Sequence, residues 1–301
     1  VLIWQGVDCK TFYYITPGGL IPAASAGQSF TDTIKVKIGN KIGRNNMIRK
    51  TMNINRLNIS YLDNEKDGQS LICLHGHFGM GSMLTFVESF FDGRIILPDL
   101  RGHGFSDHAL SYTRLDYIED LKAIIDELDL QDPILLGHSL GGANIFQYAS
   151  MYKNVKKIII EDIGTEISQS NSFIADFPER FDSIWDVNNE FMKHNIILGP
   201  YFIESLCYDG TKWMFRFNYK DMIQSQIELN GIYWKDWESI KCPILLMHGM
   251  KSWACKTDNI KEMAKRNSNV TIKIYENAGH AIHEDERKQF CEDVTEFINR
   301  K

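Results

Sequence analysis

At 301 residues, with 44% hydrophobic and 24% charged side chains, the chain has the make-up of an ordinary globular protein and the length of one large α/β domain with an insertion or of two modest domains. A net charge of −6 and the lack of any basic block interleaved with aromatics exclude an electrostatic nucleic-acid binder. No apolar run approaches the roughly 18–20 residues of a membrane span, and the N-terminus has no basic stretch followed by an apolar core, so a cytoplasmic location is expected.

The first 50 residues read as an N-terminal extension of uncertain structure. Pro17-Gly18-Gly19 and the small-residue run at 23–27 favour turns or loose chain there. From Thr51 onward strands and helices alternate. Residues 53–61 read as strand, and 70–75 as a buried strand ending in the turn His75-Gly76-His77-Phe78-Gly79. A helix is expected from Ser82, then a strand at 94–99 that runs into a glycine-bearing loop through Ser106. Leu115, Ile118, Leu121, Ile124, Ile125 and Leu128 recur at helical period. A short apolar strand follows at 134–136, then a helix, then a strand at 155–162 ending in Glu161 and Asp162. After a long interval come a strand at 243–248, a helix from Asp258, a strand at 270–275, the turn at 276–280 and a last helix from Glu284. This alternation predicts an α/β fold with a mostly parallel, doubly wound sheet, its core formed by 51–163 and 240–301.

The interval 164–239 breaks the rhythm and is rich in Phe, Tyr and Trp. It is expected to be an inserted helical lid whose aromatics form its own core and collectively offer apolar surface to a substrate. Cys9, Cys73, Cys207, Cys242, Cys255 and Cys291 have no C-x-x-C pairing or metal spacing. Free thiols are expected, with no metal and no cofactor.

Gly137-His138-Ser139-Leu140-Gly141 is the stretch that carries chemistry. A serine on a tight strand-to-helix turn, flanked by glycines that permit close backbone approach, stands at a helix N-terminus whose amides face a developing oxyanion.

His75-Gly76, Asp99-x-Arg101-Gly102-His103-Gly104-x-Ser106, the Ser139 elbow and Ala278-Gly279-His280 occur in this order. Together they resemble the α/β-hydrolase fold superfamily from Thr51 to the end of the chain. The resemblance implies Ser139 as nucleophile and His280 as general base. It implies an oxyanion hole made by the backbone N–H groups of Leu140 and His77, with Phe78 as the fallback donor. His138, His103, His248 and His283 are read as structural or exposed. The family's usual acid, three residues beyond Gly249, is replaced by Ser252. In some branches the acid comes from the end of the preceding strand, and Glu161 aligns with the glutamate of haloalkane dehalogenases. Glu161 is therefore the expected acid, with Asp162 as the alternative and Asp258, or no acid at all, behind both. The implied function is a serine hydrolase acting on a small, apolar acyl substrate such as an ester. Carbon–carbon bond hydrolysis, perhydrolase activity or a non-catalytic ligand-binding protein are the alternatives.

Overall fold

The computed structural model describes the backbone of Leu2–Gln5, Phe12–Thr16 and Gly19–Pro22 and the whole of residues 47–300, the Pro200 side chain excepted. Within the N-terminal extension, β1 (Leu2–Gln5), β2 (Phe12–Thr16) and β3 (Gly19–Pro22) pair as an antiparallel three-stranded sheet. Cys9, Pro17, Gly18 and the run at 23–27 lie outside the described residues.

The chain continues through β4 (Ile48–Ile54), β5 (Leu57–Asp63), β6 (Ser70–Leu74), a 3₁₀ helix (Gly81–Ser89) and β7 (Arg94–Pro98). Next come α1 (Arg114–Glu127), β8 (Ile134–His138), α2 (Leu140–Met151), β9 (Lys157–Glu161) and β10 (Glu166–Ile167). They are followed by α3 (Ile184–Lys193), α4 (Pro200–Glu204), β11 (Leu206–Tyr208), β12 (Trp213–Phe215), α5 (Tyr219–Leu229), β13 (Gly231–Ile232) and α6 (Trp234–Ser239). The last elements are β14 (Ile244–Gly249), α7 (Thr257–Arg266), β15 (Val270–Tyr275), α8 (Ile282–Asp285) and α9 (Arg287–Asn299).

Eight strands of the described residues form one sheet in the order β15-β14-β9-β8-β6-β7-β5-β4. Every pairing from β15 to β7 is parallel, and β5 and β4 close the edge antiparallel. The inner strands read as unbroken apolar runs because both faces are covered. Ile72, Leu74, Leu135, Ile158, Ile160, Ile244 and Leu246 enter the core with the α1, α2 and α7 side chains. Their alternating neighbours Leu71, Cys73, Leu136, Ile159, Leu245 and Met247 enter the core against the 3₁₀ helix and α9. No helix of the described residues is long and apolar enough to cross a membrane.

Helix α1 begins with a capping box in which Thr113 N–H donates to Asp116 Oδ2 at 2.8 Å and Asp116 N–H to Thr113 Oγ1 at 3.3 Å. Its buried stripe is Tyr117, Ile118, Leu121, Ile124 and Ile125, whereas Leu115 faces solvent at 54% exposure.

The chain divides into two compact units, Met47–Ala175 with Arg216–Lys301, and Val1–Asn46 with Asp176–Phe215. The separate segment is thus narrower than 164–239. Trp237 shows why: it is fully buried in the main core, and its indole N–H donates to the Met263 carbonyl at 2.8 Å. In the smaller unit the aromatics pack on one another, Phe191 lying 5.1 Å from Phe177 and 4.6 Å from Phe202 between ring centroids.

At the elbow, a Cβ on Gly141 would stand 2.2 Å from the Leu74 carbonyl oxygen, and one on Gly137 2.5 Å from the Gly141 backbone. Gly141→Ala should therefore lower the unfolding free energy by about 2–3 kcal/mol in a urea titration. A variant as stable as the parent would show that α2 and β6 are not in this close contact.

Candidate active site

Ser139 is the residue between β8 and α2, with φ 52° and ψ −116°. That left-handed backbone is costly for a non-glycine residue and is held by its surroundings. Ser139 N–H donates to the Glu161 carbonyl at 3.0 Å, and the Ser139 carbonyl accepts Ala143 N–H at 3.0 Å. The first-turn amides of α2, beginning with Leu140, have no acceptor within their own helix and are free in principle to receive negative charge. His77 follows β6 in a turn closed by Gly79 N–H to the Gly76 carbonyl at 3.2 Å. Phe78, the fallback donor, has φ 68°, and its ring lies 5.9 Å from Phe173 and 5.2 Å from Phe217. The His77 ring is anchored through Nε2 to Ser225 Oγ at 2.8 Å, which in turn bonds Tyr117 OH at 2.8 Å.

The Asp99–Ser106 loop braces this region. Asp99 accepts N–H bonds from Gly81 at 2.7 Å and Phe105 at 3.0 Å, and pairs with Arg49 at 2.7 Å. Arg101 forks onto Asp120 with two contacts of 2.7 Å. His75 Nε2 accepts Leu100 N–H at 3.0 Å while its Nδ1–H donates to the Gly76 carbonyl at 2.8 Å, tying this loop to the turn after β6.

His280 Nδ1–H donates to Asp162 Oδ2 at 2.7 Å. That bond fixes the tautomer and leaves Nε2 as the basic nitrogen. His138, adjacent to Ser139, packs its ring 4.6 Å from that of His280 and donates Nε2–H to the His280 carbonyl at 3.0 Å. Trp253 covers His280 with its ring 4.9 Å away.

The expectation that Glu161 holds His280 does not match this geometry. Successive strand residues point to opposite faces, so β9 sends Glu161 and the following Asp162 to different partners. Glu161 accepts both the backbone N–H and the Nδ1–H of His283 at 2.9 Å, among Phe86 and Phe290. Asp162, at φ 50°, turns to His280 instead. Its Oδ1 also accepts His248 Nδ1–H at 2.8 Å and Gly249 N–H at 3.1 Å, and its Oδ2 accepts the Ser252 hydroxyl. Ser252, standing where the family's usual acid would be, thus donates to the carboxylate that holds His280. Asp258 lies exposed in the first turn of α7.

His103, His138, His248 and His283 are all buried, none more than 2% exposed. His248 and His283 are the partners that sequence reasoning missed, because each meets its carboxylate across more than 80 positions of chain. Burial alone would raise the Asp162 carboxyl, but the hydrogen bonds from His248 and His280 outweigh it and hold the group well below the usual carboxylate range. Burial also opposes ionisation of Glu161 and His283, yet their mutual attraction wins, lowering Glu161 and raising His283. Burial pushes His75 down to about 4 and His138 to about 3, and takes His77 and His103 well below their ordinary value.

One group of potential metal ligands adjoins this site. Cys255 Sγ is 3.6 Å from Asp162 Oδ1 and 3.5 Å from His248 Nδ1. Burial, followed by the Asp162 charge, keeps the Cys255 thiol protonated well beyond its ordinary range.

Comparison with known proteins agrees with the fold. Residues 71–293 match the family described as alpha/beta hydrolase family. Protein phosphatase methylesterase 1 of Candida albicans is 27% identical over 268 residues, covering 80% of this chain and 71% of that protein. A putative 2-succinyl-6-hydroxy-2,4-cyclohexadiene-1-carboxylate synthase of Bacillus subtilis is 26% identical over 257 residues, covering 76% and 90%. Among solved structures, E-2-(acetamidomethylene)succinate hydrolase superposes with a TM-score of 0.76 at 19% identity, over 84% of this chain and 100% of that one.

Proposed function

The chain belongs to the alpha/beta hydrolase family, and from that premise we propose that it is a serine hydrolase cleaving a small, apolar ester or related acyl compound. Ser139 Oγ attacks the acyl carbon while His280 Nε2 takes its proton. The proton passes to the leaving group, and water then releases the acyl chain from Ser139 by the same route. Asp162 keeps the His280 imidazole in the tautomer that leaves Nε2 basic and stabilises the imidazolium formed during attack. The backbone N–H groups of Leu140 and His77 take up the charge on the carbonyl oxygen, at about 10²–10³ in rate per donor.

The observation that carries this reading is the 2.7 Å bond from His280 to Asp162, a carboxylate held ionised by its neighbours. It supplies the acid that the chain lacks after β14. The ester preference draws support from the methylesterase relative, whose name describes that protein's activity and not this chain's.

p-Nitrophenyl acetate, butyrate and octanoate test the proposal. The expected result is Ser139-dependent turnover with a burst of about one nitrophenolate per chain before steady state. Turnover unchanged in Ser139→Ala, or none with any of the three esters, would refute it.

A further inference from the structure

We propose that Asp162 Oδ1, His248 Nδ1 and Cys255 Sγ form a Zn²⁺ site, and that filling it throttles the hydrolysis proposed above. The site itself stands on geometry; only its effect on rate rests on the serine-hydrolase reading.

The three atoms lie within 4.8 Å of one another and come from the ends of β9 and β14 and the loop before α7. Zinc bonds of about 2.3 Å to sulfur and about 2.0–2.1 Å to nitrogen or oxygen, at tetrahedral angles, put sulfur about 3.5 Å from each lighter ligand and those two about 3.3 Å apart. The sulfur separations here are 3.5 and 3.6 Å, so neither needs adjustment. The His248–Asp162 separation is 2.8 Å and opens by roughly 0.5 Å when a metal replaces the shared proton. A thiolate and a carboxylate offset the divalent charge, so the filled cluster is neutral, as its burial demands. Sulfur and imidazole also select zinc over magnesium or calcium.

The surroundings serve both states. His248 Nε2 is 2.8 Å from Thr257 Oγ1, a hydroxyl able to donate to the nitrogen or accept from it. On binding, the imidazole proton moves from Nδ1 to Nε2, where Thr257 accepts it, and the Cys255 thiol proton leaves to solvent. One proton is therefore released per metal bound. Three protein ligands leave the fourth position to water. Asp162 Oδ2 keeps its bond to His280, but the carboxylate charge is drawn to the metal and stabilises the imidazolium less.

Titration of the full chain with CoCl₂ reads the site directly. The expected result is one cobalt per chain with a thiolate-to-cobalt charge-transfer band, absent in Cys255→Ala and in the near-isosteric Cys255→Ser. Saturating ZnCl₂ should lower kcat for p-nitrophenyl butyrate by at least about tenfold, a fraction of the cost of losing the orienting carboxylate altogether. EDTA should restore it, and each Cys255 variant should keep its own metal-free rate. No band in the parent, a band surviving in both variants, or equal zinc inhibition of parent and variants overturns the proposal. If the chain hydrolyses no ester, the cobalt band still decides the site, so the two failures are distinguishable.

Discussion

Asp162→Asn is expected to lower kcat for p-nitrophenyl butyrate by about 10⁴-fold and Ser139→Ala by about 10⁶-fold, whereas Glu161→Gln is expected to stay within about tenfold of the parent. The His280 ring accounts for the difference. With Asp162 ionised, Nδ1 must carry the proton, and Nε2 presents a lone pair to the serine hydroxyl. An asparagine there offers an amide N–H₂ as readily as a carbonyl, so the ring can reverse its tautomer and turn Nε2 into a donor. The imidazolium formed during attack also loses its counter-charge. KM should change little, because the lost interaction strengthens only as charge develops. Glu161 contacts His283 and not His280. Its replacement loosens the segment after His280 without removing the orienting charge. Steady-state kinetics on the three variants checks the order. Equal losses in Glu161→Gln and Asp162→Asn would mean that the two carboxylates act as one unit.

Acidification is expected to unfold the protein well above the carboxylate range. His75, His77, His103 and His138 are buried, and burial depresses the pKa of each in the folded state. A base whose folded pKa lies below its unfolded value contributes full stability above pH ~6.5 and loses it as pH falls, because the unfolded chain then binds more protons. Each such histidine is worth at most about 1.4 kcal/mol per pH unit below that point, so four together reach at most about 5.5 kcal/mol per unit. His283 has the opposite sign. Its raised pKa gives stability that is present below its unfolded value and fades only as pH rises through the folded one. Glu161 and Asp162, both lowered, contribute above their unfolded values and are lost only in stronger acid. The net slope between pH ~6.5 and ~4.5 is thus set by the four neutral histidines. Urea unfolding at pH 7.5, 6.5, 5.5 and 5.0 should show a small change over the first interval, where His283 opposes the other four, followed by a steep fall with proton uptake on unfolding. A constant free energy over that interval would contradict the buried, neutral state of these rings.

The core of the fold was legible because parallel strands covered on both faces appear as unbroken apolar runs. The stretches 71–74, 134–136, 158–160 and 244–247 are such runs, and each is a buried strand. The limits of the insertion were not legible from aromatic content, since Trp237 buries itself in the main core with the same side chain that others use in the smaller unit. Ser252 announced that an acid was missing after β14. Which of two adjacent carboxylates reaches His280 instead depends on the direction each side chain takes at the end of β9, and composition carries no signal for that. His248 and Cys255 were equally hidden, being 86 and 93 positions from Asp162. The glycines at 137 and 141, by contrast, were readable in advance, because only a residue without Cβ fits where backbones stand this close.

The most direct test of the serine-hydrolase reading is the position and rate of covalent labelling by a fluorophosphonate, read by peptide mass spectrometry. One adduct per chain is expected, on Ser139, forming far more slowly in His280→Gln. An adduct on another residue, or an equal rate in that variant, would contradict it.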